Sequence, residues 1–125
     1  MEITRTELDR AMWRALAEAT IARFSWACDA YCLMPNHFHF IVDAPLERIS
    51  RGMQRLNGRW AEQFNACYGR TGHLFGERFA ARVVGDEEHY EAAARYVLDN
   101  PVRAGLCERA EDWPWSGGRV RASLD

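Results

Sequence analysis

AYCLMPNHFHFIV, Ala30–Val42, is the stretch whose reading decides the fold. It opens as a strand over Ser25–Met34, rich in Trp, Cys, Tyr and Leu, and turns at Pro35-Asn36. It returns as a second strand, His37–Asp43 (HFHFIVD). Two residues is the natural length of a hairpin loop, so the strands are expected to pair antiparallel. Alternate residues of a strand face opposite sides of the sheet. Phe38 and Phe40 are then expected to enter the core, with His37 and His39 converging on the other face as a two-imidazole metal platform. A solvated strand face is the plain alternative for such a pair.

Three helical patterns surround the hairpin. The first is capped by Thr4 or Thr6 and runs to about Phe24, with Leu8, Met12, Ala15, Leu16 and Ala19 at helical spacing. The second covers about Leu46 to Cys67, with Ile49, Met53, Leu56, Trp60 and Phe64 on its apolar side. The glycine-rich GRTGHLFG (69–76) connects it to a strand expected over Arg78–Val84. That segment lacks the Gly-Lys-Ser/Thr ending of a phosphate-binding loop. The third helix, about Glu87 to Asp99 with Asp86 as its cap, is ended or kinked by Pro101. A short helical turn over Val102–Leu106 follows, and then Trp113-Pro114-Trp115, expected to plug an edge of the core. The chain reads as one α+β domain over residues 1–125.

On the third helix Tyr90, Ala94, Val97 and Leu98 form an apolar side, while His89, Ala93, Tyr96 and Asn100 fall within about 60° of one another on a different side. A stripe of His, Tyr and Asn is unusual for a merely solvated face. Asn100 can offer a carbonyl oxygen to a hard metal, with the Tyr96 phenol one turn away. The alternative has Tyr96 covering core and Asn100 capping the helix. On the second helix Arg48, Arg51, Arg55 and Arg59 lie within about 80°, a candidate phosphate track or else a solvated face. Arg78 and Arg82 extend the basic set along the sequence.

Net charge is −2, with 16 basic and 18 acidic residues, and every basic residue is arginine. A strongly basic nonspecific binder is thus excluded. The acidic residues gather at 7–18, 86–91 and 108–112, which leaves the arginines a region of their own. Cys28, Cys32, Cys67 and Cys107 form no C-x-x-C pair and are expected to behave as small buried hydrophobes. No apolar run reaches the roughly 18 residues of a membrane span, and the polar start, MEITRTELDR, is no secretory signal. A soluble, intracellular protein is expected.

AYCLMPNHFHFIV resembles the HUH motif of the single-tyrosine transposases, and GHLFGERF, YVLDNPVRAGL and DWPWSG resemble later segments of the REP-associated tyrosine transposases of bacteria, in the same order. The resemblance covers about residues 5–118. It implies a ferredoxin-like, HUH-type antiparallel sheet with helices packed on it. It implies metal-dependent cleavage and strand transfer of single-stranded DNA at hairpins of palindromic repeats, through a 5′-phosphotyrosine. Tyr96 takes the place of the nucleophile, His37 and His39 those of the metal-binding histidines and Asn100 that of a third ligand, with Mg²⁺ or Mn²⁺ as the metal. A cytoplasmic, nucleoid-associated protein is implied as well. Relatives usually begin with a further strand, so a sheet edge is expected to be left open and to be filled by a second copy of the chain. Two other readings stay open: a hairpin-binding module of the same fold without the chemistry, and a small zinc hydrolase built on the two histidines.

Overall fold

The structure, a computed structural model, describes residues 2–74 and 87–124. Helix α1 (Glu7–Arg23) starts where the sequence offers a capping box. The Thr6 hydroxyl accepts from the Asp9 N–H at 3.0 Å, and the Asp9 carboxylate accepts from the backbone of Arg5 and Thr6. Burial would raise the Asp9 pKa, but the Tyr68 hydroxyl and these N–H groups outweigh it and hold the pKa down. The carboxylate therefore stays charged and serves as a cap inside the fold.

The face that α1 buries is not the one its periodicity suggests. Trp13, Ala17 and Thr20 are buried, while Leu8 is 68% exposed and Met12 40%. The indole of Trp13 is the largest apolar group on the helix and turns it toward the sheet. Thr20 follows at small cost, because its hydroxyl donates to the Leu16 carbonyl at 2.8 Å.

Strands β1 (Ala27–Leu33) and β2 (Phe38–Asp43) form the expected hairpin, pairing antiparallel from Leu33↔Phe38 to Ala27↔Asp43. The Met34 N–H donates to the His37 carbonyl at 2.8 Å across Pro35-Asn36, which holds the turn to a two-residue loop. The register shifts between Cys28 and Ala30, leaving Asp29 as an extra, bulged residue. The buried Asp29 carboxylate pairs with Arg119 at 2.5 Å. A third short strand, β3 (Ser116–Gly117), lies on the other side of β1, so the described sheet has the order β2-β1-β3.

Helix α2 (Leu46–Tyr68) ends at Gly69, whose φ of 63° is the left-handed conformation that favours glycine. It buries Met53, Leu56, Trp60 and Phe64, as its periodicity predicts, and also Gly52, where any side chain would overlap the Trp26 indole. One core, on the α1 and α2 face of the sheet, gathers Trp13, Tyr31, Leu33, Leu56, Trp60 and Phe64, with Phe38 and Phe40 packed against it. The other face carries α3 (Glu87–Leu98), α4 (Asn100–Arg103) and α5 (Arg119–Leu124). Its core is Ala30, Cys32, Met34, Ala94, Val97, Leu98 and Val120.

The arrangement is α+β, an antiparallel sheet with helices on both faces. Trp113 packs into one core and Trp115 against the other, so the Trp-Pro-Trp segment straddles the sheet. Leu33 receives both: its N–H donates to the Trp115 carbonyl, and its carbonyl accepts the Trp113 indole N–H at 3.0 Å. The strand expected over Arg78–Val84 and the cap expected at Asp86 lie outside the described residues. No helix among the described residues is long and apolar enough to cross a membrane.

Candidate active site

The histidines are aimed by the aromatics between them. Phe38 and Phe40 lie 5.1 and 6.0 Å from Trp13, ring centre to ring centre, and Trp13 is fully buried. Strand alternation then turns His37 and His39 to the opposite face, where their ring centroids are 4.8 Å apart, nearly perpendicular. His39 stands across from Cys32, which is buried in the core beneath α3. Burial, and then the neighbouring Cys107, pushes the Cys32 thiol up to about 12. It is a packing group and offers no thiolate to a metal.

Asn36 sets the chemistry of the first imidazole. Its Oδ1 lies 2.6 Å from His37 Nδ1. With that oxygen as acceptor, Nδ1 keeps the proton and the Nε2 lone pair is left for a ligand. Burial lowers the His37 pKa. The His39 pKa is lowered by burial first, then by the charges of His37 and Arg103. Both imidazoles are therefore neutral near pH 7, the form that binds metal.

The third helix comes down on this same face. Ala94, Val97 and Leu98 bury against Ala30, Cys32 and Met34, with Ile41 of the histidine strand at the margin. That docking leaves Tyr96 66% exposed. The helix breaks at Asp99, and α4 begins at Asn100 with Pro101 in its first turn, where a missing N–H costs nothing. The Asn100 carbonyl accepts the Ala104 N–H at 3.0 Å, and its side chain is half-buried. Arg103, the last residue of α4, holds its guanidinium 3.7 Å from the centre of the Tyr96 ring.

Among the described residues no third histidine, cysteine or carboxylate joins the imidazole pair. Two neutral imidazoles can contribute two nitrogen ligands to a divalent transition-metal ion.

The arginine stripe lies elsewhere. Arg48, Arg51, Arg55 and Arg59 ride on α2, whose buried side belongs to the core on the far face of the sheet from the histidines. Arg51 pairs with Glu47 at 3.8 Å, both largely exposed. Desolvation and the nearby charges of Arg23 and Arg59 lower the Arg55 pKa, marking a local concentration of positive charge. Arg78 and Arg82 lie outside the described residues. His89, expected on the Tyr96 side, is exposed on α3. Of the four cysteines Cys32 is buried, Cys28 and Cys107 are half-buried and Cys67 is exposed, so the expectation of burial fails at Cys67.

Two residues of this site escape a reading of the sequence. Asn36 reads only as a turn residue, although its place beside His37 is visible. Arg103 is seven residues after Tyr96, about two helical turns, but the break at Asp99 and Pro101 hides the relation. Arg103 also lines a groove of about 450 Å³ of mixed charge, with Arg95 and Arg109 beside Asp99, Glu108 and Glu111.

Residues 2–100 match the sequence profile of the family described as "Transposase IS200 like". A protein of Haemophilus influenzae named as a REP-associated tyrosine transposase is 23% identical over 83% of this chain and 65% of its own length. The REP-associated tyrosine transposase of Escherichia coli K12 is 28% identical over 70% of the chain and 52% of its own length. The chain therefore spans less than two thirds of either relative. No solved structure matches it. With the profile covering most of the sequence, the chain belongs to the IS200-like transposase family.

Proposed function

We propose that the chain cleaves single-stranded DNA at or near a hairpin and transfers the cut end, using Tyr96 as the nucleophile. The observation that carries this reading is that α3, which bears the exposed Tyr96 with Arg103 against its ring, packs on the sheet face to which His37 and His39 turn. The Tyr96 oxygen attacks phosphorus, the P–O3′ bond breaks, and a 5′-phosphotyrosine forms. The phenol proton passes to solvent, and the departing 3′ oxygen takes up a proton to become a free hydroxyl. The phosphodiester count is conserved, so a 3′-hydroxyl can attack in return and rejoin the strand.

A bound Mg²⁺ or Mn²⁺ would polarise the phosphate. His37 and His39 would hold it, with Asn100 as a third ligand and Asn36 fixing the His37 tautomer. The arginines of α2, with Arg78 and Arg82, are the proposed track for flanking phosphates. Association with the bacterial nucleoid belongs to the same reading.

A labelled hairpin oligonucleotide with single-stranded flanks, incubated with the protein and Mn²⁺, should give a covalent adduct on a denaturing gel. Tyr96→Phe should abolish the adduct. Binding without any adduct in the wild type overturns the enzyme in favour of a hairpin-binding module.

The same family reading puts a second copy of the chain at the outer edge of β2, which has no strand partner among the described residues. Light scattering should then report a dimer, and a folded monomer would overturn that arrangement.

A further inference from the structure

We infer that Arg103 is a catalytic residue that grips the scissile phosphate between Tyr96 and the histidine pair. The inference rests on the reading of Tyr96 as nucleophile. It adds a residue that neither the sequence pattern nor the two-histidine motif assigns.

The geometry supplies three independent supports. At 3.7 Å from the ring centre, the guanidinium lies against the Tyr96 ring, so a phosphate approached by the Tyr96 oxygen comes within reach of its N–H groups. Val102, its neighbour on α4, packs against the core that holds Cys32, the cross-strand partner of His39, so α4 lies on the histidine face of the sheet. Third, Arg103 has no carboxylate within ion-pair distance among the described residues. Other arginines do: Arg14 with Glu18, Arg51 with Glu47, Arg109 with Glu111 and Asp112, and Arg119 with Asp29. An exposed guanidinium held by an aromatic face, with its donors uncommitted, suits a tetrahedral anion.

The role follows from the charge balance of the step. Two neutral imidazoles add no charge of their own against the negative charge that grows on the non-bridging oxygens as the Tyr96 oxygen approaches. Arg103 adds a fixed positive charge there, and the Tyr96 ring pre-orients it. The same stacking keeps the phenol beside the phosphate that Arg103 holds. No other reactant is required, because Arg103 donates hydrogen bonds and keeps its protons.

The test uses the adduct assay, with the cut site mapped on wild-type protein, and two variants, Arg103→Gln and Arg103→Lys. Arg103→Gln should slow adduct formation by about a hundredfold, the scale of losing one preorganised donor at a reacting centre. Arg103→Lys should recover part of that loss. Mn²⁺ affinity and melting temperature should not fall, since the side chain is exposed and lies outside the proposed ligand set.

The specific readout is binding of an oligonucleotide whose scissile phosphate is a neutral methylphosphonate, measured without divalent metal and in a Tyr96→Phe background to prevent reaction. Protein with Arg103 should prefer the charged phosphate by about tenfold, the order expected of one charge-assisted hydrogen bond. Protein with Arg103→Gln should show no preference. Adduct formation by Arg103→Gln at the wild-type rate overturns the inference while leaving the nucleophile in place. So does a slower rate with the phosphate preference intact. Absence of an adduct in the wild type overturns the nucleophile itself, and the inference with it.

Discussion

Asn36 Oδ1 and His37 Nδ1 are 2.6 Å apart, so the turn residue fixes which nitrogen of the neighbouring imidazole is free. Removing such a partner from a metal-binding histidine costs about 10- to 100-fold in metal affinity. Asn36→Ala should therefore weaken Mn²⁺ binding by that factor in a calorimetric titration, with the hairpin still formed. His37→Ala should weaken it further. Equal affinity in Asn36→Ala and wild type would show that the side chain does not direct the tautomer.

The lowered pKa values of His37 and His39 set a direction for pH. Their folded values lie below the ordinary imidazole value near 6.5. Just below pH 6.5 the unfolded chain therefore binds more protons than the folded one, and stability falls as pH falls. This contribution is fully present above about pH 6.5 and is lost as pH drops through the folded values. Mn²⁺ binding should follow the same course, holding as pH falls to about 6.5 and failing only below it. Loss of binding that begins well above pH 7 would contradict the assignment of neutral imidazoles.

Trp13 holds the reverse side of the histidine strand. Trp13→Ala should destabilise the fold by about 3–5 kcal/mol, the usual cost of emptying a buried tryptophan site. Chemical denaturation measures it directly. Because Phe38 and Phe40 lose their common neighbour, Mn²⁺ binding should weaken in the fraction that stays folded.

At Gly52 there is room for hydrogen and nothing larger, since an added Cβ would overlap the six-membered ring of Trp26. The Trp26 indole N–H is fixed to the Arg48 carbonyl at 3.1 Å, so the ring cannot simply swing aside. Gly52→Ala should cost about 1–3 kcal/mol through overpacking, despite the gain in helix propensity. A rise in melting temperature would show that the indole yields.

The α2 arginines make a separable contribution. Replacing Arg48, Arg51, Arg55 and Arg59 by Gln should weaken binding of single-stranded DNA. It should also flatten the salt dependence by about 0.7 in slope for each phosphate no longer neutralised. The chemical step on bound DNA should be unaffected, because these residues lie across the sheet from Tyr96. An unchanged slope would make the stripe a solvated face.

Much of the frame could be read from the chain alone, for physical reasons that also mark the limits. The hairpin was legible because Phe38 and Phe40 alternate with His37 and His39 and because Pro35-Asn36 leaves a two-residue loop. The apolar side of α2 was legible because four large side chains repeat at one spacing. The buried side of α1 was misread, since Leu8 and Met12 have the better periodicity but Trp13 has the greater area to hide. The bulge at Asp29 depends on an ion pair with Arg119, ninety residues away in sequence, and local pattern carries no trace of it. Tyr96 was legible as a face residue. Its partner Arg103 was not, because a helix break separates them and only the fold brings them together.

The clasp of Trp113 and Trp115 on Leu33 bears on the order in which the molecule is made. Chains emerge from the ribosome N-terminus first, so the histidine hairpin exists well before the segment that grips its inner strand. Until Trp113 to Gly117 arrive, Leu33 lacks both of its later bonds, and one edge of β1 stands open. A chain interrupted after α4 would carry Tyr96, His37 and His39 yet hold them loosely. The inner strand of the histidine hairpin is thus fully bonded only once Trp113 to Gly117 have been synthesised and have joined it.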